Sequence, residues 1–87
     1  MQIVYSPKLI RQFNKLPQDL QEEVLARVEL FKDVKNHKSL KVHKLKGRLK
    51  KQYGFSIDFK NRIVFEYLLG NDNRVGFLSV GDHNIYN

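Results

Sequence analysis

Eighty-seven residues without a cysteine allow one domain with a modest core and exclude disulfides and thiolate metal clusters. Sixteen Lys and Arg against nine Asp and Glu leave a formal charge of +7, which favours polyanions or acidic proteins as partners. No apolar run approaches the roughly 20 residues of a membrane span, and Lys8 and Arg11 interrupt any signal-peptide pattern. The expectation is a soluble, cytoplasmic protein with no membrane partner.

In chain order, Gln2-Ile3-Val4-Tyr5 is a short strand candidate. Ser6-Pro7 then opens a helix, serine at the N-cap and proline at the first helical position. Leu9, Ile10, Phe13 and Leu16 form one helical stripe. Pro17 ends that helix and starts a second, on which Leu20, Val24, Val28 and Phe31 recur, with Leu25 and Leu30 widening the apolar face. These stripes predict a helical hairpin whose apolar faces are core.

Residues 35–51 break the pattern. They are dense in Lys and Arg and hold no acid. Val42, Leu45 and Leu49 are too sparse for an amphipathic helix. The segment reads as a loop pinned by a few apolar anchors, with Gly47 at a turn. Lys41, Lys44, Lys46, Arg48, Lys50 and Lys51 are candidates for successive phosphate contacts.

The rest of the chain reads as an antiparallel meander with strands at 53–59, 62–69 and 74–80. Tyr53, Phe55, Ile57 and Phe59 alternate with Gly54, Ser56 and Asp58. Ile63, Phe65, Tyr67 and Leu69 alternate with Arg62, Val64, Glu66 and Leu68. This period of two marks a sheet with one buried face. Gathering the aromatics on one side calls for a three-residue loop, Phe59-Lys60-Asn61, which sets Asp58 opposite Arg62. Gly70-Asn71-Asp72-Asn73 is a hairpin connection. The expected class is α+β: about four antiparallel strands with a helical hairpin on one face.

The other face collects small and polar groups around Arg62. An arginine there can hold a phosphate bidentately, although spacing alone favours an exposed ion pair with Asp58. An imidazole can both accept and donate a proton, so His43 and His83 can divide general base and general acid work. Tyr86 can hold the substrate, stack on a base or donate a proton. His37 reads as an ordinary surface residue. No metal-ligand spacing is present, and RNA can be cleaved without metal or cofactor because its 2′-hydroxyl is an internal nucleophile.

The elements His43-Lys44-Leu45-Lys46-Gly47, Arg62-Ile63-Val64-Phe65 and Ser79-Val80-Gly81-Asp82-His83-Asn84-Ile85-Tyr86, in this order and spacing, give a chain that resembles the RelE-type toxins of the RelE/ParE superfamily. These are the toxin halves of bacterial type II toxin–antitoxin pairs. The resemblance spans nearly all of residues 1–87, read as one toxin domain, and is nearest to the histidine-bearing YafQ- and YoeB-like branch. It implies a metal-independent, ribosome-dependent mRNA endonuclease. By the resemblance, Arg62 contacts the scissile phosphate, His43 takes the base position, His83 the acid position, and Tyr86 orients the nucleotide. It also implies an antitoxin that wraps the toxin, the ribosome and mRNA as targets, and operator DNA through the antitoxin complex. One departure is plain. The founding members carry two catalytic lysines on the strand before the arginine, where this chain has Gly54 and Ser56. The alternatives are a gyrase inhibitor like ParE and a catalytically silent binding protein of the same family.

Overall fold

A computed structural model describes residues 1–46, 51–68 and 73–82 of the chain. Strand β1 (Gln2–Tyr5) leads into helices α1 (Pro7–Asn14) and α2 (Gln18–Phe31), followed by a single 3-10 turn, Val34–Asn36. Strands β2 (His43–Lys44), β3 (Tyr53–Ser56), β4 (Asn61–Tyr67) and β5 (Arg74–Asp82) complete the chain order. The sheet runs β1-β5-β4-β3-β2. Its class matches the expected α+β arrangement, with one correction. Among the described residues there are five strands, and β1 lies parallel to β5, so the sheet is mixed.

The opening of α1 is built as its sequence dictates. Ser6 Oγ accepts the N–H of Leu9 at 3.0 Å and donates to the carbonyl of Leu78 at 2.8 Å. One hydroxyl therefore caps the helix and ties it to β5. Gln12 Oε1 accepts the N–H of Val80 at 2.8 Å. β1 pairs with residues 74–77 of β5, so the side chains of the N-cap Ser6 and of Gln12 in α1 satisfy backbone groups further along β5.

Both helices cover one face of the sheet. Leu9, Val24, Val28, Phe31, Phe55, Ile57, Ile63, Phe65, Val75, Phe77 and Val80 form the core between them. Phe31 is its hub: the ring lies 4.6 Å from Phe55, 4.9 Å from Phe65 and 5.4 Å from Phe77. Leu25, Leu30 and Ile10 depart from the expected core stripes, being 58, 45 and 47% exposed. α1 and α2 diverge enough to leave a cleft of about 190 Å³, lined in part by Tyr5, Ile10, Phe13 and Leu25.

The basic segment is anchored by Leu40, which is fully buried. Its carbonyl accepts the N–H of Ser56 at 3.0 Å. Of the expected anchors, Val42 packs partly against the core. Leu49 and the turn at Gly47 lie outside the described residues, as does most of the Gly70–Asn73 connection.

The β3–β4 register differs from the expected one by two residues. Ser56, and not Asp58, stands opposite Arg62. A slip of two preserves which side chains share a face, so the aromatics still gather on the helix side. The cause is local. Asp58 Oδ1 accepts the N–H groups of Lys60 at 2.9 Å and Asn61 at 2.7 Å, and Asn61 Nδ2 donates to the same carboxylate. The carboxylate thus closes a turn and leaves β3, taking Phe59 with it to the tip, where that ring is 88% exposed.

Partial burial pushes the Asp58 carboxyl upward, but the N–H groups of Asn61 and Lys60 outweigh it and hold the group below its ordinary value of 3.8. A lowered native value means stability that is present above the ordinary carboxylate range and fades as pH falls through the native value. Asp58→Ala is expected to cost about 1 kcal/mol, the net worth of a turn hydrogen bond. Urea titrations at neutral pH and near pH 3 check this, since the gap between parent and variant should shrink in acid.

Candidate functional site

The second face of the sheet carries two adjacent cross-strand rows. His43, Gly54, Val64 and Ser79 form one; Ser56, Arg62 and Gly81 form the next. Residues directly opposite one another share a face, and positions two apart along a strand share it again. His43 and Arg62 therefore lie on one side of the sheet. Two strand spacings across and two residues along separate their Cα atoms by about 12 Å. Both flanking positions of Arg62, Ser56 and Gly81, are small, so the guanidinium meets no bulky cross-strand neighbour. Its Nε is buried.

β5 carries one extra residue at Leu78, because Val64 pairs with Ser79 while Phe65 pairs with Phe77. The bulge resets the alternation. Val80 turns into the core, and Ser79 joins His43 and Gly54 on the second face. Gly81 is consequently the residue that flanks Arg62.

His43 is exposed on the edge strand. Its Nδ1 lies 2.8 Å from the carbonyl of Lys41. A carbonyl only accepts, so Nδ1 carries the proton, and in the neutral ring Nε2 keeps its lone pair. Lys41 itself adopts a left-handed conformation, φ 60°, and Lys51 does the same at φ 67°. His43 is thus an imidazole whose acceptor nitrogen is available to a substrate hydroxyl.

The remaining candidates are divided. Lys41, Lys46 and Lys51 are exposed around the β2 edge. Lys44 pairs with Tyr53, whose ring stacks at 5.6 Å on the core residue Phe65, so Lys44 belongs to the helix side and not to the Arg62 side. Arg48, Lys50, His83 and Tyr86 lie outside the described residues. His37 differs from its reading as a surface residue. It is half-buried, stacks on Phe31 at 4.4 Å, and donates from Nε2 to the Phe31 carbonyl at 2.8 Å. Its place beyond the end of a helical stripe gave no periodic signal of this docking.

No family model and no curated protein sequence matches the chain. Solved structures do. The chain is similar to the toxin–antitoxin complex of YoeB and YefM from Staphylococcus aureus, with TM-score 0.72 and 18% identity over 95% of this chain and 97% of that one. It is also similar to YafQ from E. coli, with TM-score 0.71 and 18% identity over 97% and 94% of the two chains. The RelBE toxin–antitoxin complex of E. coli aligns with TM-score 0.69 and 16% identity over 93% and 94%. Nearly full mutual coverage, the helical hairpin and the mixed sheet together give this chain the fold of the RelE, YoeB and YafQ toxins.

Proposed function

We propose that the chain is the toxin of a type II toxin–antitoxin pair and cleaves mRNA on the ribosome without a metal. The observation that carries the reading is the placement of His43 and Arg62 on one sheet face, in neighbouring rows, around small residues. In this reading the Nε2 of His43 takes the proton of a 2′-hydroxyl. The 2′-oxygen attacks the adjacent phosphorus, and the bond to the 5′-oxygen breaks. That oxygen takes a proton from the general acid, for which His83 is the candidate. Arg62 stabilises the charge that gathers on the non-bridging oxygens. Tyr86 orients the nucleotide, and the lysines of residues 41–51, with Arg48, hold RNA backbone. Gly54 and Ser56 supply no proton-transfer group, so the histidines carry that work.

The proposed partner is an acidic antitoxin segment. A charge of +7 favours it, and the YoeB and RelE neighbours were solved in toxin–antitoxin complexes. The cleft between α1 and α2, with Tyr5, Ile10 and Leu25 on its exposed rim, offers apolar surface for such a segment.

Primer extension on cellular mRNA after induced expression tests the activity. The expected result is new 5′-hydroxyl ends within translated codons. Intact mRNA together with altered plasmid supercoiling would instead assign the chain to gyrase inhibition.

A further inference from the structure

On the helix side of the sheet, opposite the Arg62 face, a second recess opens below the 3-10 turn. Met1, Val34, His37, Tyr53 and Tyr67 line it, and its volume is about 410 Å³. That falls within the range of about 300–1,000 Å³ common to small-ligand pockets. Its walls are held in place. Tyr53 meets Tyr67 edge to face at 5.0 Å, and both pack on Phe65, at 5.6 and 5.5 Å. The His37 ring is fixed between its stack on Phe31 and its hydrogen bond to the Phe31 carbonyl. Rings that are already ordered lose little freedom when a flat ligand stacks on them.

The charge around the recess is positive. Lys44 stands beside Tyr53 on the same face. Lys35 and Lys38 flank Val34 and His37 in the chain. Of the two acids next to lining residues in sequence, Asp33 is engaged by Lys35 at 3.5 Å and accepts the N–H of that residue at 3.1 Å, and Glu66 stands opposite Gly76 on the other face of the sheet. Aromatic faces with phosphate-binding cations beside them are the chemistry of single-strand nucleic-acid sites. An acidic peptide would use the lysines and leave the stacked rings without a matching group.

We propose that this recess is a base-stacking subsite for a nucleotide flanking the cleavage position. The proposal rests on the ribonuclease reading and extends it around the sheet edge. β2 is two residues long, with His43 facing one side and Lys44 the other. A single RNA strand whose phosphate lies at His43 can pass over that narrow edge, follow Lys44 and seat a base against Tyr53. The subsite then selects how RNA is held, while the chemistry stays on the opposite face.

NMR of the labelled chain with a short single-stranded 2′-O-methyl RNA, which cannot be cleaved by its own 2′-oxygen, tests this. Ring resonances of Tyr53, Tyr67 and His37 should shift together with those of His43. Tyr53→Leu should weaken binding about 5- to 100-fold, the size of one lost base stack. Lys44→Ala, at an exposed position that leaves the fold intact, should weaken it more modestly and flatten its salt dependence. Shifts confined to His43 and the Arg62 face would overturn the subsite and leave the ribonuclease reading standing. An RNA that moves neither face would overturn the subsite, while the ribonuclease reading, which places cleavage on the ribosome, stands or falls on the primer extension. Shifts at Tyr53 and Tyr67 caused by an acidic peptide but not by RNA would make the recess a protein-docking surface and overturn the subsite.

Discussion

Alanine at His43 is expected to lower the rate of mRNA cleavage by about 10²- to 10⁴-fold, the usual loss when a general base is removed. Alanine at Arg62 is expected to cost about 10²- to 10³-fold through lost stabilisation of the phosphorane-like charge. In the proposed mechanism the two variants lose activity for different reasons, and their effects on stability should differ as well. His43 is exposed and, among the described residues, bonds to the Lys41 carbonyl alone, so its loss should leave thermal stability within about 0.5 kcal/mol of the parent. Arg62 is half-buried and its Nε is buried, so a melting curve must accompany its rate. Arg62→Lys keeps the charge and removes the planar fork, and should recover only part of the activity. Cleavage of a ribosome-bound message, followed by gel, measures each rate, and growth after induction gives the cellular counterpart. Full toxicity retained by both alanine variants would remove the proposed mechanism.

Phe31→Ala should be the most destabilising single change in the helices, by about 3–5 kcal/mol. Phe31 is fully buried and touches rings from β3, β4 and β5 as well as His37. Its removal opens a cavity at the point where α2 meets the sheet, and rigid strands on the far side cannot close it. Total stability of a domain is only about 5–15 kcal/mol, so most of the margin goes. The thermal midpoint should fall by roughly 12–40 °C in a chain of this length, measured by circular dichroism. Leu25→Ala on the same helix is the control. That side chain is 58% exposed, and its loss should cost no more than about 1 kcal/mol. The contrast reports burial, since helix propensity differs little between Leu and Ala.

Local chemistry made much of this protein legible before any coordinates. Ser6-Pro7 and Pro17 punctuate the helices because capping and a fixed φ act within a few residues. Period-two alternation across 53–57 and 62–67 assigned the aromatics to the helix side and Arg62 to the other, and a register slip of two residues left that division intact. Partner choice was less legible. Whether Asp58 faces Arg62 or closes a turn depends on competition between a ladder and an Asx-type turn, and three donors within three residues decide it for the turn. Nor does composition distinguish Leu25 from Val24. Both are apolar and adjacent on α2; spacing sets Val24 on the recurring stripe and Leu25 at its margin, and the packing of the helix on the sheet leaves that margin exposed.

The sequence by itself determined the helical hairpin, the two-faced sheet and the basic character, because each follows from periodicity, capping or charge that is fixed within a short stretch. Tertiary structure decided the parallel pairing of β1 with β5, the bulge at Leu78 that brings Gly81 beside Arg62, and the opposite facing of His43 and Lys44. Those features join residues dozens of positions apart, and their free energy comes from the shared core and completed backbone hydrogen bonds, which no local window contains.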